Sequence, residues 1–187
     1  MKNIFKLTLL FVICLFSISL FGCNNDSDIK KMTDKYNKYF ETSLDSAKQV
    51  SLEYNVNDKE VTVYKSLIKV KFNENNCDVS VTESKLNSKY VLESNENSYT
   101  LNEYNRRDYV NVVFDEQYIR SFELKDDLNL SIKKFYFCDF IGIEKLPINS
   151  IADVIVQNND NKNIERIVAS FISDSNKDVT ITISFVY

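Results

Sequence analysis

The sequence predicts an α+β fold, mainly antiparallel β, in which an N-terminal amphipathic helix packs on an antiparallel sheet. Apolar residues recur every three or four positions between residues 27 and 48, which is the period of a helix. From Val50 onward, apolar positions alternate with polar ones, which is the period of a strand with one covered face. Runs rich in Asn and Asp separate these segments, as in hairpins. Together the patterns predict one helix followed by a long antiparallel meander.

The helix is predicted over residues 27–48 because its apolar side chains form one stripe. Such a stripe fits either a sheet or a membrane surface. Acids on the polar face, such as Asp28 and Glu41, differ from the basic polar faces of helices that lie on membranes. Packing on the sheet is therefore the prediction. The stripe consists of Ile29, Met32, Tyr36, Tyr39, Phe40, Leu44 and Ala47.

The strands are predicted from the alternating runs. Val61 and Val63 differ in parity from Ile68 and Val70, so we expect a bulge near Ser66 that restores the facing. The predicted strands are residues 50–56, 61–72, 77–81, 89–93, 98–103, 109–114, 154–156, 167–171 and 179–185.

Within residues 118–147, the alternation at residues 128–132 indicates a strand, but residues 122–130 fit a short helix equally well.

In the last two hairpin turns, at residues 158–161 and 174–177, Asn and Asp take the place of glycine because both tolerate left-handed backbone angles.

The first 22 residues have the zones of a secretory signal. Two lysines precede an apolar run, residues 7–21, which is shorter than the roughly 20 residues of a membrane-spanning helix. The run ends in Leu20-Phe21-Gly22-Cys23, which resembles bacterial lipoprotein signals except at Phe21, where that family has a small or β-branched residue. The resemblance implies that the thiol of Cys23 receives a diacylglycerol and that the bond between Gly22 and Cys23 is cut.

This assignment divides the chain into a signal peptide at residues 1–22, a tether at residues 23–28 and a single mainly β domain at residues 29–187. Two acyl chains anchor a protein stably, whereas one chain binds reversibly. We therefore expect the protein on the extracytoplasmic face of the cell membrane. The abundance of Asn, Lys, Ile and Tyr indicates an AT-rich bacterial genome, and we expect a Gram-positive bacterium. An uncleaved membrane helix and simple secretion are the alternatives.

Composition excludes several chemistries. The chain has no His, which closes His-based catalytic triads, and its two Gly are too few for a glycine-rich phosphate loop. Because two lysines lie in the signal, 21 of the 23 basic residues and all 27 acidic residues remain, a formal net charge of −6. Nucleic-acid binding needs a basic face, so we expect no nucleic-acid partner. We also expect no enzymatic activity, no cofactor and no metal.

Cys77 and Cys138 are the two other cysteines of the predicted domain. A disulfide between them is allowed outside the cytoplasm, but sequence spacing does not place their Cβ atoms together. Two separate buried side chains are the alternative.

The most apolar run after the signal is Phe135-Tyr136-Phe137-Cys138-Asp139-Phe140-Ile141. It predicts a core strand that is buried on both faces. The alternative is a wall over an apolar cavity, lined by Phe135, Phe137 and Phe140.

Three polar segments are weaker candidates for a binding or catalytic site. Asn158-Asn159-Asp160-Asn161 with Asn163 offers oxygen ligands for calcium but lacks the Gly and Glu of an EF-hand, so a solvated loop is the prediction. Arg106-Arg107 suits an anion but is predicted to face solvent. Asp126-Asp127 has no spacing that selects it as a glycosidase pair.

The order of elements over residues 28–187 resembles that of the LolA-like lipoprotein carriers. The shared pattern is an early helix, two long strands, a mid-chain aromatic segment and closing hairpins that end in Val179-Thr180-Ile181-Thr182-Ile183-Ser184-Phe185. The resemblance implies that the sheet is curved, half-barrel-like, around a hydrophobic cavity, and that the protein transiently binds an acyl chain or another apolar ligand.

The predicted function is a membrane-anchored lipoprotein without catalysis that acts as a surface interaction or structural module with a filled core. The alternative is a carrier or sensor of a lipid or other apolar ligand, which needs a cavity of some hundreds of Å³ lined by Phe, Leu and Val. An enzyme would need a cleft with convergent carboxylates of perturbed pKa.

Overall fold

The structure, a computed structural model, describes residues 26–102, 104–108, 110, 112–119, 121–124, 129–136 and 151–187. These residues form helix α1 (Asp26–Ser46) and a single unclosed antiparallel sheet, which confirms the mainly antiparallel β class. Residues 26–28, assigned above to the tether, form the first turn of α1. The strands are β1 (Gln49–Asp58), β2 (Val61–Phe72), β3 (Cys77–Leu86), β4 (Leu92–Leu101), β5 (Ser121–Leu124), β6 (Asn129–Tyr136), β7 (Ile151–Asn158), β8 (Ile164–Ile172) and β9 (Asp178–Val186).

The strands lie in the order β4-β3-β2-β1-β9-β8-β7-β6-β5. The predicted meander is therefore confirmed within β1–β4 and within β5–β9 but is wrong for the whole sheet, because β1 and β9 pair in the middle. Both of these strands bury apolar side chains on one face, called the inner face below. Their pairing places those side chains in the core and leaves the polar β4 and the short β5 as edges, where apolar side chains would be exposed.

Two predicted strands belong to a single strand in the structure, and a third predicted strand is wrong. Residues 89–93 and 98–103 do not form two strands, because residues 87–91 make the turn after β3 and β4 then runs without interruption. In the predicted strand 109–114, the described residues Val110, Val112 and Phe114 are buried but belong to no strand. Around residues 122–130, where a strand and a short helix were both open, the described residues form β5 and the start of β6.

The bulge in β2 lies near, but not at, its predicted place. The register of β1 and β2 shifts between Val56 and Asn57, so Val63 is the extra residue, while Tyr54 and Ser66 pair regularly. Further shifts interrupt the pairing of β6 with β7 and of β7 with β8. Bulges bend strands and increase their twist.

Four non-glycine residues adopt positive φ angles in tight turns. They are Lys59 (58°), Tyr90 (59°), Lys162 (63°) and Asn176 (58°). The prediction that Asn or Asp takes this position in the last two turns is confirmed at Asn176 and wrong at Lys162. Asn159 instead supports that turn with its side-chain oxygen, which accepts two backbone N–H groups.

One buried cluster contains side chains of α1, of the inner face of the sheet, and of Val110, Val112, Phe114 and Ile119. The predicted alternation of β9 is confirmed, since Val179, Ile181, Ile183 and Phe185 are buried and the residues between them are half-exposed. The ring of Phe40 in α1 meets the ring of Phe185 edge-on, with centroids 5.9 Å apart.

Candidate functional site

Ser43 lies on the buried stripe of α1, beside the β7–β8 hairpin. Its hydroxyl donates to the Tyr39 carbonyl (2.6 Å) and accepts from the backbone N–H of Ile164 (2.7 Å). The Tyr187 hydroxyl donates to the Ile164 carbonyl at 2.5 Å. Burial raises the pKa of the Tyr187 phenol, which keeps this donor protonated. Side chains from the helix and from the last residue of the chain therefore satisfy both backbone groups of Ile164.

Arg106 caps the C-terminal end of α1. Its Nη1 donates to the carbonyls of Leu44 (2.5 Å) and Ala47 (2.8 Å), two of the acceptors that a helix end leaves without partners. The guanidinium also lies over the Phe72 ring, 4.2 Å from its centroid, and that ring stacks on Tyr104. A cation at this end of a helix is favoured by the helix dipole as well.

Asn37 takes the place of a neighbouring strand for Phe114. Its Nδ2 donates to the Phe114 carbonyl and its Oδ1 accepts from the Phe114 N–H, both at 2.8 Å. Phe114 is buried, and its ring meets that of Tyr36 with centroids 6.0 Å apart. This amide gives the backbone of Phe114 two hydrogen bonds of the kind that a strand ladder would supply.

A group of half-buried side chains on the inner face of β1, β2 and β3, called the tyrosine strip below, borders the core. The rings of Tyr54 and Tyr64 meet edge-on with centroids 5.9 Å apart, and the Tyr64 hydroxyl donates to Glu83 Oε1 (3.1 Å). Burial raises the pKa of both phenols, and the Glu83 carboxylate raises that of Tyr64 further. The strip consists of Tyr54, Val56, Tyr64, Ile68 and Val81.

β4 is a long exposed edge of the sheet. It has ten residues, of which only Leu101 is partly buried, whereas β5 at the opposite edge has four. Its register with β3 has no shift, and it contains no Pro, Lys or Arg. The Asn87 N–H donates to the Val91 carbonyl at 2.9 Å. Because hydrogen-bonded pairs alternate in an antiparallel ladder, the odd-numbered residues of β4 bond to β3 and the even-numbered ones direct N–H and C=O away from the sheet.

Open grooves flank α1. One of about 600 Å³ lies beside the first turn of α1, where Ile29 and Ile119 border the charged Glu116. A second, of about 310 Å³, lies between α1 and β5 and is bordered by Met32 and Phe122. Both grooves mix charged and apolar side chains and open to solvent, unlike the Phe-, Leu- and Val-lined cavity expected of a carrier.

The structure describes only some of the site residues that were predicted from the sequence. Phe135 lies in β6 and pairs with Ala152. Cys77 is buried at the first position of β3. The remaining positions lie outside the described residues, so the anchor, the disulfide and the cavity wall stay predictions; these positions are Gly22, Cys23, Asp126, Asp127, Phe137, Cys138 and Phe140.

The other polar candidates have protein partners. The Asn159 side-chain oxygen accepts from the N–H groups of Asn161 and Asn163 at 3.0 Å, as a solvated turn requires. Arg106 caps α1, and Arg107 pairs with Glu41 at 2.6 Å in an exposed position. Within the described ranges, no three or more His, Cys, Asp or Glu side chains are grouped as metal ligands.

Sequence reasoning missed Ser43 and Asn37, although a signal was present. Both are polar residues at or beside the apolar stripe of α1: Ser43 follows Tyr39 by four positions, and Asn37 precedes Phe40 by three. A polar residue at such a position must find a partner in the core or at its border. What the sequence did not contain was the identity of that partner.

In the part of the chain that the structure describes, no helix combines the length and apolarity needed to cross a membrane. No protein-family model matches the chain, and no curated protein matches it either.

Proposed function

We propose that this chain is a lipoprotein, held on the extracytoplasmic face of the cell membrane by a diacylglyceryl group on Cys23, whose folded part is a surface interaction or structural module without catalysis. The observation that carries the second part is the filled space between α1, Phe114 and the middle of the sheet. Tyr36, Leu44, Phe114 and Phe185 are at most 6% exposed and occupy space where a carrier would need a ligand cavity.

We further propose that α1 lies across a curved sheet of half-barrel shape. Two contacts support this placement, the Phe40–Phe185 ring pair and the Ser43–Ile164 hydrogen bond. The three register shifts support the curvature because bulges bend the strands that contain them.

The anchor is tested by comparing Cys23→Ala with Cys14→Ala in the full chain. Labelled fatty acid should be incorporated into the parent and into Cys14→Ala, and both should enter the detergent phase of Triton X-114. Cys23→Ala should lose the label and run at a larger size, because without the thiol neither the acylation nor the cut before residue 23 would take place and residues 1–22 would remain. An unchanged size and labelling of Cys23→Ala would contradict the proposed anchor.

The tyrosine strip favours one second candidate, a carrier of an apolar ligand with a polar group. Its side chains are only half-buried, so they could contact an acyl chain, and Tyr64 with Glu83 could hold a hydroxyl or amine. Native mass spectrometry of the purified full chain separates the two functions. The interaction module should carry only its own anchor. An additional lipid that is lost in Tyr64→Ala but kept in Tyr99→Ala, an exposed tyrosine of β4, would favour the carrier.

A further inference from the structure

We infer that the edge of β4 is a self-pairing surface, at which two copies of this chain join their sheets in antiparallel pairing about a twofold axis at Asn97. The inference rests on the proposed interaction function and names its surface and its partner, a second copy. The even-numbered residues of β4 supply the pairing groups, each with one N–H and one C=O that β3 does not use and that no other described residue binds. They are Leu92, Ser94, Glu96, Ser98 and Thr100.

Most of the usual protections of an edge strand are missing from β4. Proteins block edges with short strands, with charged side chains (above all lysines), with prolines or with bulges. β5 follows this rule with its four residues, but β4 has ten residues, an unbroken register and only acids as charges. Apolar side chains are also exposed near both ends of β4, since Tyr90, Val91 and Leu92 at its start and Tyr99 near its end are 40 to 84% exposed. Such an edge is suited to pairing with another strand.

The alternation of the pairing groups limits how two copies can pair. In the hydrogen-bonded pairs between the two copies, both residues must be even-numbered. The twofold axis must therefore lie at one residue, which then faces the same residue of the other copy, and not midway between two neighbouring residues. Two registers pair nine residues of each β4, one with the axis at Glu96 and one with the axis at Asn97. The first sets two carboxylates directly opposite each other, which is destabilising. The register about Asn97 is therefore favoured.

In this register the opposed side chains are chemically matched. Ser94 faces Thr100 of the second copy, Glu96 faces Ser98, and the two Asn97 amides face each other. Hydroxyl–hydroxyl pairs and carboxylate–hydroxyl pairs both form hydrogen bonds across strands. The two Glu96 carboxylates lie diagonally, about 7 Å apart, where they repel weakly.

The twofold axis stands perpendicular to the joined sheet, because only that operation reverses a strand and keeps its faces. Both copies of α1 consequently lie on the same side, which allows both anchors to enter one membrane. Edge pairing alone buries less than the roughly 1,200–2,000 Å² of a stable interface. Confinement to a membrane raises the effective concentration and favours the pair.

Disulfide formation in the membrane tests the register. Full-length chains with Asn97→Cys or Asn95→Cys are produced with their own signal, and cells and medium are oxidised with copper phenanthroline. Directly opposed residues in a non-hydrogen-bonded pair have Cα atoms about 4.5 Å apart, within disulfide range. Asn97→Cys should therefore give a reductant-sensitive dimer. The two positions 95 would be roughly 13 Å apart, so Asn95→Cys should give at least fivefold less, and the parent chain sets the background of the native cysteines.

A proline substitution tests the pairing itself. Ser98→Pro, added to Asn97→Cys, removes an N–H that points away from β3 and leaves the β3–β4 ladder intact. The dimer should fall at least fivefold, whereas Ser98→Ala should keep it, and trypsin resistance equal to that of the parent excludes a folding defect. Equal dimer at positions 95 and 97, no dimer at 97, or an adduct with a different protein in its place would overturn the inference. If the chain forms the cross-link but is released into the medium, only the proposed anchor is contradicted. If the chain stays in the membrane but forms no cross-link, only the self-pairing is contradicted.

Discussion

Single polar residues join α1 to segments far away in the chain, and Ser43 shows the physical reason. A hydrogen bond contributes modestly to stability, but a buried donor that has lost its acceptor costs about 1–3 kcal/mol. Ser43 is fully buried and accepts the N–H of Ile164 at the start of β8. Loss of this contact would therefore cost more stability, through the unpaired N–H of Ile164, than the hydrogen bond itself contributes.

We expect Ser43→Ala to lower the free energy of unfolding by about 2 kcal/mol, because the Ile164 N–H loses its acceptor. Ser46 is the matched control, since its hydroxyl donates to the carbonyl four residues earlier at 2.6 Å, as that of Ser43 does, but in an exposed position. Ser46→Ala should change stability by less than about 0.5 kcal/mol. Urea unfolding followed by circular dichroism measures both, and equal effects would show that the Ile164 contact is not what Ser43 contributes.

At this scale the sequence predicted which residues face the core but not which atoms meet. The stripe of α1 was predicted from spacing, and Met32, Tyr36 and Leu44 are indeed buried. The partners of Ser43 and Asn37 lie 121 and 77 positions away in the chain. Such pairs depend on tertiary placement, which no local pattern contains.

Among the elements, the end of α1 depends on a residue outside the helix. Arg106 supplies donors to Leu44 and Ala47 from a segment that follows β4. The last turn of α1 contains no basic residue of its own, so this distant arginine provides the positive charge that the helix dipole favours there.

We expect Arg106→Ala to reduce stability by about 2 kcal/mol, because two charge-assisted hydrogen bonds and the contact with Phe72 are lost. Its neighbour Arg107 is a close control, since it pairs with Glu41 in an exposed position. Arg107→Ala should cost less than about 1 kcal/mol, as exposed ion pairs do. Thermal and urea unfolding of the two variants give the comparison, and a larger loss for Arg107→Ala would refute the assignment of Arg106 as the cap.

The elements also show where sequence patterns mislead. Alternation correctly indicated β9, because its face toward the core is apolar and its other face polar. The same alternation at Val110, Val112 and Phe114 did not produce a strand, and at Phe114 the side chain of Asn37 is a backbone partner instead of a neighbouring strand. β4 was divided in two because its exposed residues have no apolar period. An alternating apolar period in a sequence reflects the burial of one face. An exposed edge strand such as β4 buries neither face and therefore shows no such period.

For the whole molecule, the pairing of β1 with β9 joins the two halves of the sheet. Ile183 lies in the middle of this junction, opposite Leu52, and is fully buried. We expect Ile183→Ala to cost about 3 kcal/mol through lost burial and the cavity left behind. Val186 in the same strand is 50% exposed, so Val186→Ala should cost under about 0.5 kcal/mol. Similar losses, measured by urea unfolding, would mean that the junction is not a packed core.

The free energy of unfolding should fall at acid pH, a part of its pH dependence called the acid limb below. This fall depends on carboxylates on the face of the sheet opposite the inner face. The Asn55 amide, with help from Lys65, lowers the pKa of Glu53, and the Thr100 hydroxyl and the Asn73 amide lower that of Asp78. A carboxyl whose pKa is lowered by folding stabilises the protein above its unfolded pKa, near 4. That contribution is lost as the pH falls through the folded value.

The alkaline limb depends on phenols, and between the two limbs the chain has no histidine to titrate. Burial raises the pKa of Tyr54, Tyr64 and Tyr187, so their contribution is complete below about pH 10 and is lost as the pH rises further. The free energy of unfolding should therefore be constant between about pH 5.5 and 8. Urea unfolding at half-unit pH steps measures this, and Glu53→Gln should flatten the acid limb while leaving the alkaline limb unchanged. A loss of stability centred between about pH 6 and 7 would mean that a group other than these carboxyls and phenols controls folding.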